Sequence, residues 1–215
     1  MTESNQVSNP IVPGTRVDKN AGGKLVDETQ YKQIVGSLMY LTSTRPDIMF
    51  ATGFISRYMS KPTDLHLQLA KRILRYLKGT QEHGIFYQRG PGNGEFIAYT
   101  DSDYAGDHED RKSTSGYVFM MSSGAIAWSS RKQPIVTLST TEAEFVAATA
   151  FMHGRSKHID IRYHFLRDLV NEGSIKLVYC GSANQVADIM TKPLKTDTFQ
   201  KLREAMGMRT IAEIS

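Results

Sequence analysis

Three acidic side chains stand at the ends of predicted secondary-structure elements, where they could share one ligand. Asp101 follows an apolar strand, Glu144 lies in the first turns of a helix, and Asp188 begins a helix after the last predicted strand. Carboxylate oxygens are the ligands that Mg²⁺ prefers, and two such ions about 4 Å apart clamp both reacting oxygens of a phosphodiester. The order of these residues indicates a divalent-metal site.

Each carboxylate also fits a purely structural role. Asp101 suits a turn or cap, and Asp188 suits the first turn of a helix, where the helix dipole favours negative charge. The neighbouring Asp103 and Asp107 are expected to be turn or solvent residues. Taken singly, therefore, none of these aspartates identifies a catalytic site.

Two glutamates compete for the helical position. Ser139-x-x-Glu142 and Thr141-x-x-Glu144 both match the capping-box pattern, in which a glutamate reaches back to the start of its helix. Both side chains flank the apolar stripe of the helix by similar angles, so helical geometry alone leaves the choice open.

The elements that must position these residues show two periodicities. Apolar residues recur at helical spacing through residues 28–90, and a Gly/Pro-rich stretch then precedes strands in residues 95–208. Residues 1–27 lack periodicity and are expected to form an extended arm or tail. The strands are predicted near Phe96–Thr100, Tyr117–Met121, Ala125–Ser129 and Lys176–Cys180, with helices from about Thr140 and Ser156.

Basic residues cover one helix of the first region. A solvated helix face explains them, and a face that tracks nucleic-acid phosphates is the alternative. The residues concerned are Lys71, Arg72, Arg75 and Lys78.

The composition is that of a globular protein with a mild basic excess. The 215 residues carry a net charge of +4, which permits nucleic-acid binding without requiring it. The single cysteine, Cys180, favours a reducing compartment. No apolar run reaches the roughly 18 residues of a membrane span, and no secretory signal is recognisable. We therefore expect an intracellular location, cytoplasm or nucleus, with no membrane partner.

The chain closely resembles the C-terminal end of the polyprotein of copia-type LTR retrotransposons. The resemblance spans roughly residues 5–208 and rests on several specific stretches. They are "YKQIVGSLMYLTSTRPDIMFA", "AKRILRYLKGT", "YTDSDYAGDHEDRKSTSGYVF", "STTEAEFVAATA", "RSKHIDIRYHFLRD" and "QVADIMTKPL".

This resemblance implies a function. Residues 28–90 resemble the thumb and connection region of reverse transcriptase, and residues 95–208 resemble ribonuclease H, which cuts the RNA strand of an RNA–DNA hybrid with two Mg²⁺ ions. Asp101 matches the family's first aspartate, "EFVA" selects Glu144 over Glu142, and "ADI" followed by "TK" matches Asp188. These three would bind Mg²⁺, or Mn²⁺ in its place, with an RNA–DNA hybrid or other nucleic acid as partner.

The same resemblance shows what this chain lacks. Between Ala150 and His153 it has only Phe151 and Met152, where the family has the rest of a helix, an aspartate-bearing strand and a short helix. The expected fold is therefore α/β, with an incomplete ribonuclease H-like sheet that has lost a central strand and follows a small helical region. We expect weakened metal binding and weak or no cleavage of RNA–DNA hybrids. No Y-x-D-D polymerase motif occurs, so polymerisation is not expected.

Two alternatives remain open. The chain is an active hybrid ribonuclease if the gap near residues 150–153 is a gene-model error. A secreted effector is the other alternative, since "RILR" at residues 72–75 matches the R-x-L-R pattern. Helix packing already accounts for that short motif.

Overall fold

The helices come first along the chain and an antiparallel sheet follows, in a mixed α/β arrangement. The computed structural model describes residues 3–15, 17, 23–88, 96–107, 109–150 and 167–214. The helices are α1 Glu28–Leu41, α2 Met49–Ser56, α3 Asp64–Lys78, α4 Thr140–Ala150 and α5 Thr196–Ala205. The strands are β1 His83–Ile85, β2 Phe96–Asp103, β3 Thr114–Met121, β4 Gly124–Lys132 and β5 Met208–Thr210. The α/β class expected from the sequence is confirmed at this level.

Local signals set the ends of the first helices. The Asp27 carboxylate accepts hydrogen bonds from two N–H groups in the first turn of α1, which would otherwise lack partners. Pro46 opens a short 3₁₀ helix, Pro46–Ile48, directly before α2, because proline suits a first helical turn. A capping box at Thr63 begins α3, and Gly79 ends it. Each of these helix ends is thus set by residues within one turn of it.

The main sheet contains β2, β3 and β4 in that order, all antiparallel. The two-residue turn between β3 and β4 contains Ser122 with a φ of 54°, as tight hairpin turns require. In the register of β2 and β3, Asp101 lies opposite Gly116. Three of the four predicted strands in this region are thus confirmed, and β2 is at an edge of the described sheet.

The fourth predicted strand, Lys176–Cys180, is wrong. Residues 175–180 have no regular secondary structure, and Leu177, Val178 and Tyr179 are 59%, 74% and 93% exposed. A β-strand needs a neighbour to pair its backbone groups, and none of the described strands pairs with this segment. Its apolar composition alone therefore does not make it a strand.

One hydrophobic core extends across the predicted boundary between the helical region and the sheet region. The Tyr76 ring of α3 packs edge-on against Phe199 of α5, at 5.6 Å between centroids. The Trp128 indole of β4 donates a hydrogen bond to the carbonyl of Thr42, just after α1. The small sheet pairs β1 with β5. The division at residues 90–95 stays a prediction.

Some predictions fall outside the described residues. The start of the helix near Ser156 and the junction around residues 150–153 belong to them. Within the described part, residues 167–171 are helical, and the backbone turns away at Gly173 with a φ of 72°. No helix in the described ranges is long and apolar enough to cross a membrane.

A buried charged network joins α3 to the start of α2 and to α5. The Asp47 side chain is fully buried and accepts hydrogen bonds from the Arg45 guanidinium, at 2.7 and 2.9 Å, and from the Tyr76 hydroxyl, at 2.6 Å. Arg203 of α5 donates to the same hydroxyl at 3.2 Å. Burial, with the nearby Asp47 charge, raises the pKa of Tyr76. Tyr76 therefore stays neutral and acts as both donor and acceptor.

Replacing Asp47 by Ala tests this network. The substitution leaves the Arg45 guanidinium buried without its carboxylate, so the free energy of unfolding should fall by about 3–5 kcal/mol. Urea unfolding followed by fluorescence of Trp128, the single tryptophan, measures it. The control Lys32→Ala removes an exposed ion pair with Glu28 and should cost less than about 0.5 kcal/mol. Equal losses in the two variants would contradict the role of the network.

A second prediction concerns pH and Asp107, in the loop between β2 and β3. Burial acts to raise the pKa of Asp107, but the hydrogen bond from Lys132 at 2.5 Å and the backbone N–H of Glu109 outweigh it. The pKa falls to about 2 from an ordinary value of 3.8. Because the folded state holds the charged form more strongly, the stabilisation is present above about pH 4 and is lost as the pH falls toward 2.

The variant Asp107→Asn should therefore be less stable than wild type by about 1 kcal/mol at pH 7, a value discounted because water still screens the Lys132 ammonium, whose side chain is 25% exposed. The difference should shrink as the pH falls below about 4, as measured by urea unfolding between pH 7 and pH 3. A difference that stays constant over this range would show that the charge of Asp107 is not responsible.

Candidate functional site

The structure brings two of the three predicted site residues together. Asp101 lies near the end of β2, and Asp188 lies in a 3₁₀ helix, Val186–Met190, that rests against β2 and β3. The Lys192 ammonium connects them, at 2.8 Å from Asp188 Oδ1 and 3.7 Å from Asp101 Oδ2. The Thr191 hydroxyl donates a hydrogen bond to Asp101 Oδ2. The two aspartates thus form one compact polar cluster with Thr191 and Lys192.

Close backbone packing sets this approach. A Cβ on Gly116 of β3 would lie 2.5 Å from the Met190 Cβ and 2.8 Å from the Thr191 Cγ2, so only glycine admits the turn. Gln185 donates a hydrogen bond from its amide to the carbonyl of Thr100, at 3.0 Å, on the edge strand β2. These contacts hold the segment that carries Asp188 against the segment that carries Asp101.

The charges in the cluster depend on one another. Burial raises the pKa of Asp188, the bond from Lys192 opposes that rise, and the nearby Asp101 charge adds to it. The net result is a raised pKa. Burial acts to lower the pKa of Lys192, but its bonds with both carboxylates outweigh burial and leave the pKa raised. Lys192 is therefore held in its charged form beside the two aspartates.

Two aspartates expected to be turn or solvent residues have their carboxylates bound by neighbouring groups. Asp103 is the last residue of β2, and its carboxylate accepts a hydrogen bond from the backbone N–H of Thr114. Burial, opposed in part by that bond and reinforced by Asp101, raises the pKa of Asp103 to about 7. The Asp107 side chain is only 11% exposed, in ion pairs with Arg57 and Lys132. The sequence expectation is wrong for Asp103, which belongs to a strand and is paired across it. Asp107 is a turn residue as expected, since its carboxylate accepts the N–H groups of Glu109 and Asp110, but its ion pairs also remove it from solvent.

The third predicted residue, Glu144, does not join the aspartates. It is exposed on α4, whose buried face presents Ala143, Val146 and Ala147. Glu142 instead takes the capping role, since its carboxylate accepts the N–H of Leu138 at 2.7 Å. The choice between the glutamates for capping is thus resolved in favour of Glu142, while a catalytic role for Glu144 stays a prediction.

The described residues do not fit a two-metal site. Among them, no group of three or more His, Cys, Asp or Glu side chains is placed to hold a metal ion. A hard divalent ion needs several oxygen ligands, and here two carboxylates already share an ammonium. The donor chemistry is suitable for Mg²⁺, but the number of converging carboxylates is too small.

The predicted basic face is partly occupied by the chain itself. Arg72 donates to the Asn9 side chain at 2.5 Å, and Lys78 donates to the Ser4 carbonyl at 2.9 Å. Ser4 and Asn9 of the N-terminal segment therefore lie against α3, and Asn9 is buried. Lys71 is exposed, whereas Arg75 is half-buried. Nucleic-acid binding by these four residues stays a prediction.

Sequence reasoning missed Thr191 and Lys192 as members of the cluster. A signal was present, since Asp188 and Lys192 are four residues apart, a spacing that favours ion pairs on one helical turn. The contacts of both residues with Asp101, about 90 positions away along the chain, follow only from the packing of the 3₁₀ helix on the sheet.

The packing at Gly116 gives a testable prediction. Gly116→Ala should push the turn at Met190 off the sheet and lower the free energy of unfolding by about 1–3 kcal/mol, as overpacked sites do. The matched control is Gly36→Ala, because Gly36 lies on the exposed face of α1 and a Cβ added there would meet no atom within 4 Å. That change should stabilise the protein by up to about 1 kcal/mol. Urea unfolding of both variants measures the contrast, and a stabilised Gly116→Ala protein would refute the close approach.

Known proteins of similar sequence are mobile-element polyproteins. The Pol polyprotein of transposon RE1 from Arabidopsis thaliana is 37% identical over 250 aligned positions, which cover 98% of this chain and 17% of the relative. That of transposon TNT 1-94 from Nicotiana tabacum is 34% identical, covering 98% of this chain and 19% of the relative. This chain therefore spans less than a fifth of the length of these polyproteins.

A shorter relative covers part of the chain. The secreted RxLR effector protein 161 of Plasmopara viticola is 46% identical over 118 residues, which are 54% of this chain and 82% of that protein. No protein-family model matches the chain. No solved structure matches it either.

The alignments are longer than the chain. The 250 positions aligned with the RE1 polyprotein contain 98% of the 215 residues, about 211, so about 39 positions have no residue here. Similarity nonetheless runs over nearly the whole chain in polyproteins from two plants. The chain belongs to the family of retrovirus-related Pol polyproteins of copia-type transposons.

Proposed function

We propose that this chain is a retrotransposon-derived, ribonuclease H-like fragment that does not cleave RNA–DNA hybrids. The observation that carries the proposal is the cluster of Asp101 and Asp188 with Lys192 between them, and with Glu144 exposed away from it. On this proposal Asp101 and Asp188 are the remaining carboxylates of a hydrolytic site. The Lys192 ammonium neutralises part of their negative charge. The chain is on this view a pseudoenzyme.

The sheet supports the ribonuclease H-like part of the proposal. Three antiparallel strands are followed by α4, which packs on β2 and β3, and the Asp188 turn reaches the same two strands. This agrees with the order of elements that the resemblance implies, with one strand and its aspartate lost. The roughly 39 unmatched positions in the alignment with the RE1 polyprotein are of a suitable size for such a loss.

Loss of cleavage follows from the charge of the remaining site. In hybrid cleavage of this class, two bound Mg²⁺ ions would activate water and stabilise the leaving oxygen. Holding two divalent ions next to a phosphodiester requires several converging carboxylates. Here Asp101 and Asp188 contribute two negative charges, and Lys192 removes one of them. Mg²⁺ or Mn²⁺ binding would accordingly be weakened.

Nucleic acid is the proposed partner of this chain, as an RNA–DNA hybrid or in another form. The net charge of +4 and the exposed Lys71 on α3 support it, while Arg72 and Lys78 are engaged with residues 3–15. Such binding would rest on phosphate contacts and would weaken steeply with salt.

Neither alternative has stronger support. Active cleavage would require the absent aspartate-bearing segment. An effector role would rest on the relative from Plasmopara viticola and on "RILR", yet the residues of that motif are used for packing. Ile73 is buried in the core, Leu74 packs against it, and Arg72 binds Asn9.

The decisive measurement is cleavage of a labelled RNA–DNA hybrid by the purified chain in Mg²⁺ or Mn²⁺. We expect no cleavage above that of Asp101→Asn, because that variant removes a carboxylate which no longer belongs to a working site. An intact ribonuclease H serves as the positive control for substrate and buffer. Cleavage by wild type that Asp101→Asn abolishes would overturn the proposal.

Binding is measured separately by fluorescence anisotropy of the same hybrid over a range of salt concentrations. The variant Lys71→Gln should weaken binding and reduce its salt dependence, while Lys32→Gln, on the exposed side of α1, should leave both unchanged. Equal effects of the two substitutions would count against α3 as the contact surface.

A further inference from the structure

A lysine occupies the space between the carboxylates where the family resemblance would place a metal. Lys192 Nζ lies 2.8 Å from Asp188 Oδ1 and 3.7 Å from Asp101 Oδ2. The two carboxylate side chains are 10% and 16% exposed, whereas that of Lys192 is 42% exposed. The ammonium thus enters a nearly closed acidic cluster from the solvent side.

The chain holds this ammonium close to the aspartates. Lys192 directly follows Thr191, which is fully buried and donates to Asp101, and it comes four residues after Asp188. Its backbone N–H donates to the Asp188 carbonyl at 3.3 Å, which fixes the start of the side chain beside the cluster. An ammonium tethered in this way is present at high effective concentration, so a free ion must compete with it.

We infer that Lys192 is the resident cation of the Asp101–Asp188 pair and that it keeps divalent metal ions out of this site. The resemblance implies two metal ions bound by several carboxylates, whereas this cluster has two carboxylates and an ammonium between them. With Lys192 in place, the pair has one net negative charge and two of its oxygens are engaged. Without the ammonium, two like charges face each other, and a divalent cation relieves their repulsion.

This inference rests on the proposed function only for the choice of ion, and its readout is independent of cleavage. Mn²⁺ binding to the full chain is measured by electron paramagnetic resonance of the free ion. We expect Lys192→Met to bind Mn²⁺ at least 10-fold more tightly than wild type, and its melting temperature to rise with millimolar Mn²⁺. The triple variant Lys192→Met, Asp101→Asn, Asp188→Asn should lose this gain.

The matched control is Lys201→Met, the same substitution at an exposed lysine of α5 that bonds to the Ala183 carbonyl instead of an acidic side chain. Its Mn²⁺ affinity should equal that of wild type. The inference is overturned if Lys192→Met binds no more tightly than wild type. It is also overturned if the gain persists in the triple variant or also appears in Lys201→Met.

The inference can also be tested if the Lys192→Met variant does not fold. If Lys192→Met is unfolded, Lys192→Gln is used, which keeps a hydrogen-bond donor without the charge. If both are unfolded, recovery of the native circular dichroism with Mn²⁺ supports the inference, and no recovery overturns it. Hybrid cleavage by wild type would instead overturn the proposed function, whatever the Mn²⁺ affinities are.

Discussion

The buried Asp47 carboxylate, with its bonds to Arg45 and Tyr76, is the contact on which the arrangement of the C-terminal residues depends. Tyr76 in turn accepts a hydrogen bond from Arg203 and packs its ring against Phe199, both in α5. The helix α5 begins soon after Lys192, so anchoring α5 also anchors the turn that carries Asp188. The position of Asp188 is therefore set from its C-terminal side by helices that precede the sheet in sequence.

This anchoring explains why Asp188 meets Asp101 although the strand predicted at Lys176–Cys180 does not form. Asp188 depends on α5 and on the close approach at Gly116, and among the described residues neither contact uses 167–180. Glu144 has no comparable support, because it extends from the exposed side of α4 near the place where the resemblance indicates the loss. In the proposed ribonuclease H-like fold, the site thus loses Glu144, which lies on an element that the absent strand would have supported.

Sequence reasoning succeeded where the signals were local. Helical spacing of apolar residues predicted the helices α1, α2 and α3 within residues 28–90, and strand patterns on either side of a short turn predicted β3 and β4. The strand predicted at Lys176–Cys180 failed because pairing needs a distant neighbour that composition does not report. Asp101 and Asp188 were predicted as site residues from the order of sequence motifs along the chain. Local secondary-structure propensity does not contain that information.

The members of the cluster that the sequence did not reveal share one physical cause. Thr191 and Lys192 acquire their roles from contacts between β2 and a turn some 90 residues later, and such contacts leave no period or cap in the sequence. Because β2 is at an edge of the described sheet, the Asp188 turn packs across it, and Gln185 takes the Thr100 carbonyl. Lys192, entering from solvent beside this edge, balances carboxylates that the fold still brings together. The Lys192 ammonium, from the same turn as Asp188, thus stabilises the Asp101–Asp188 pair. This stabilisation requires no further strand of the sheet.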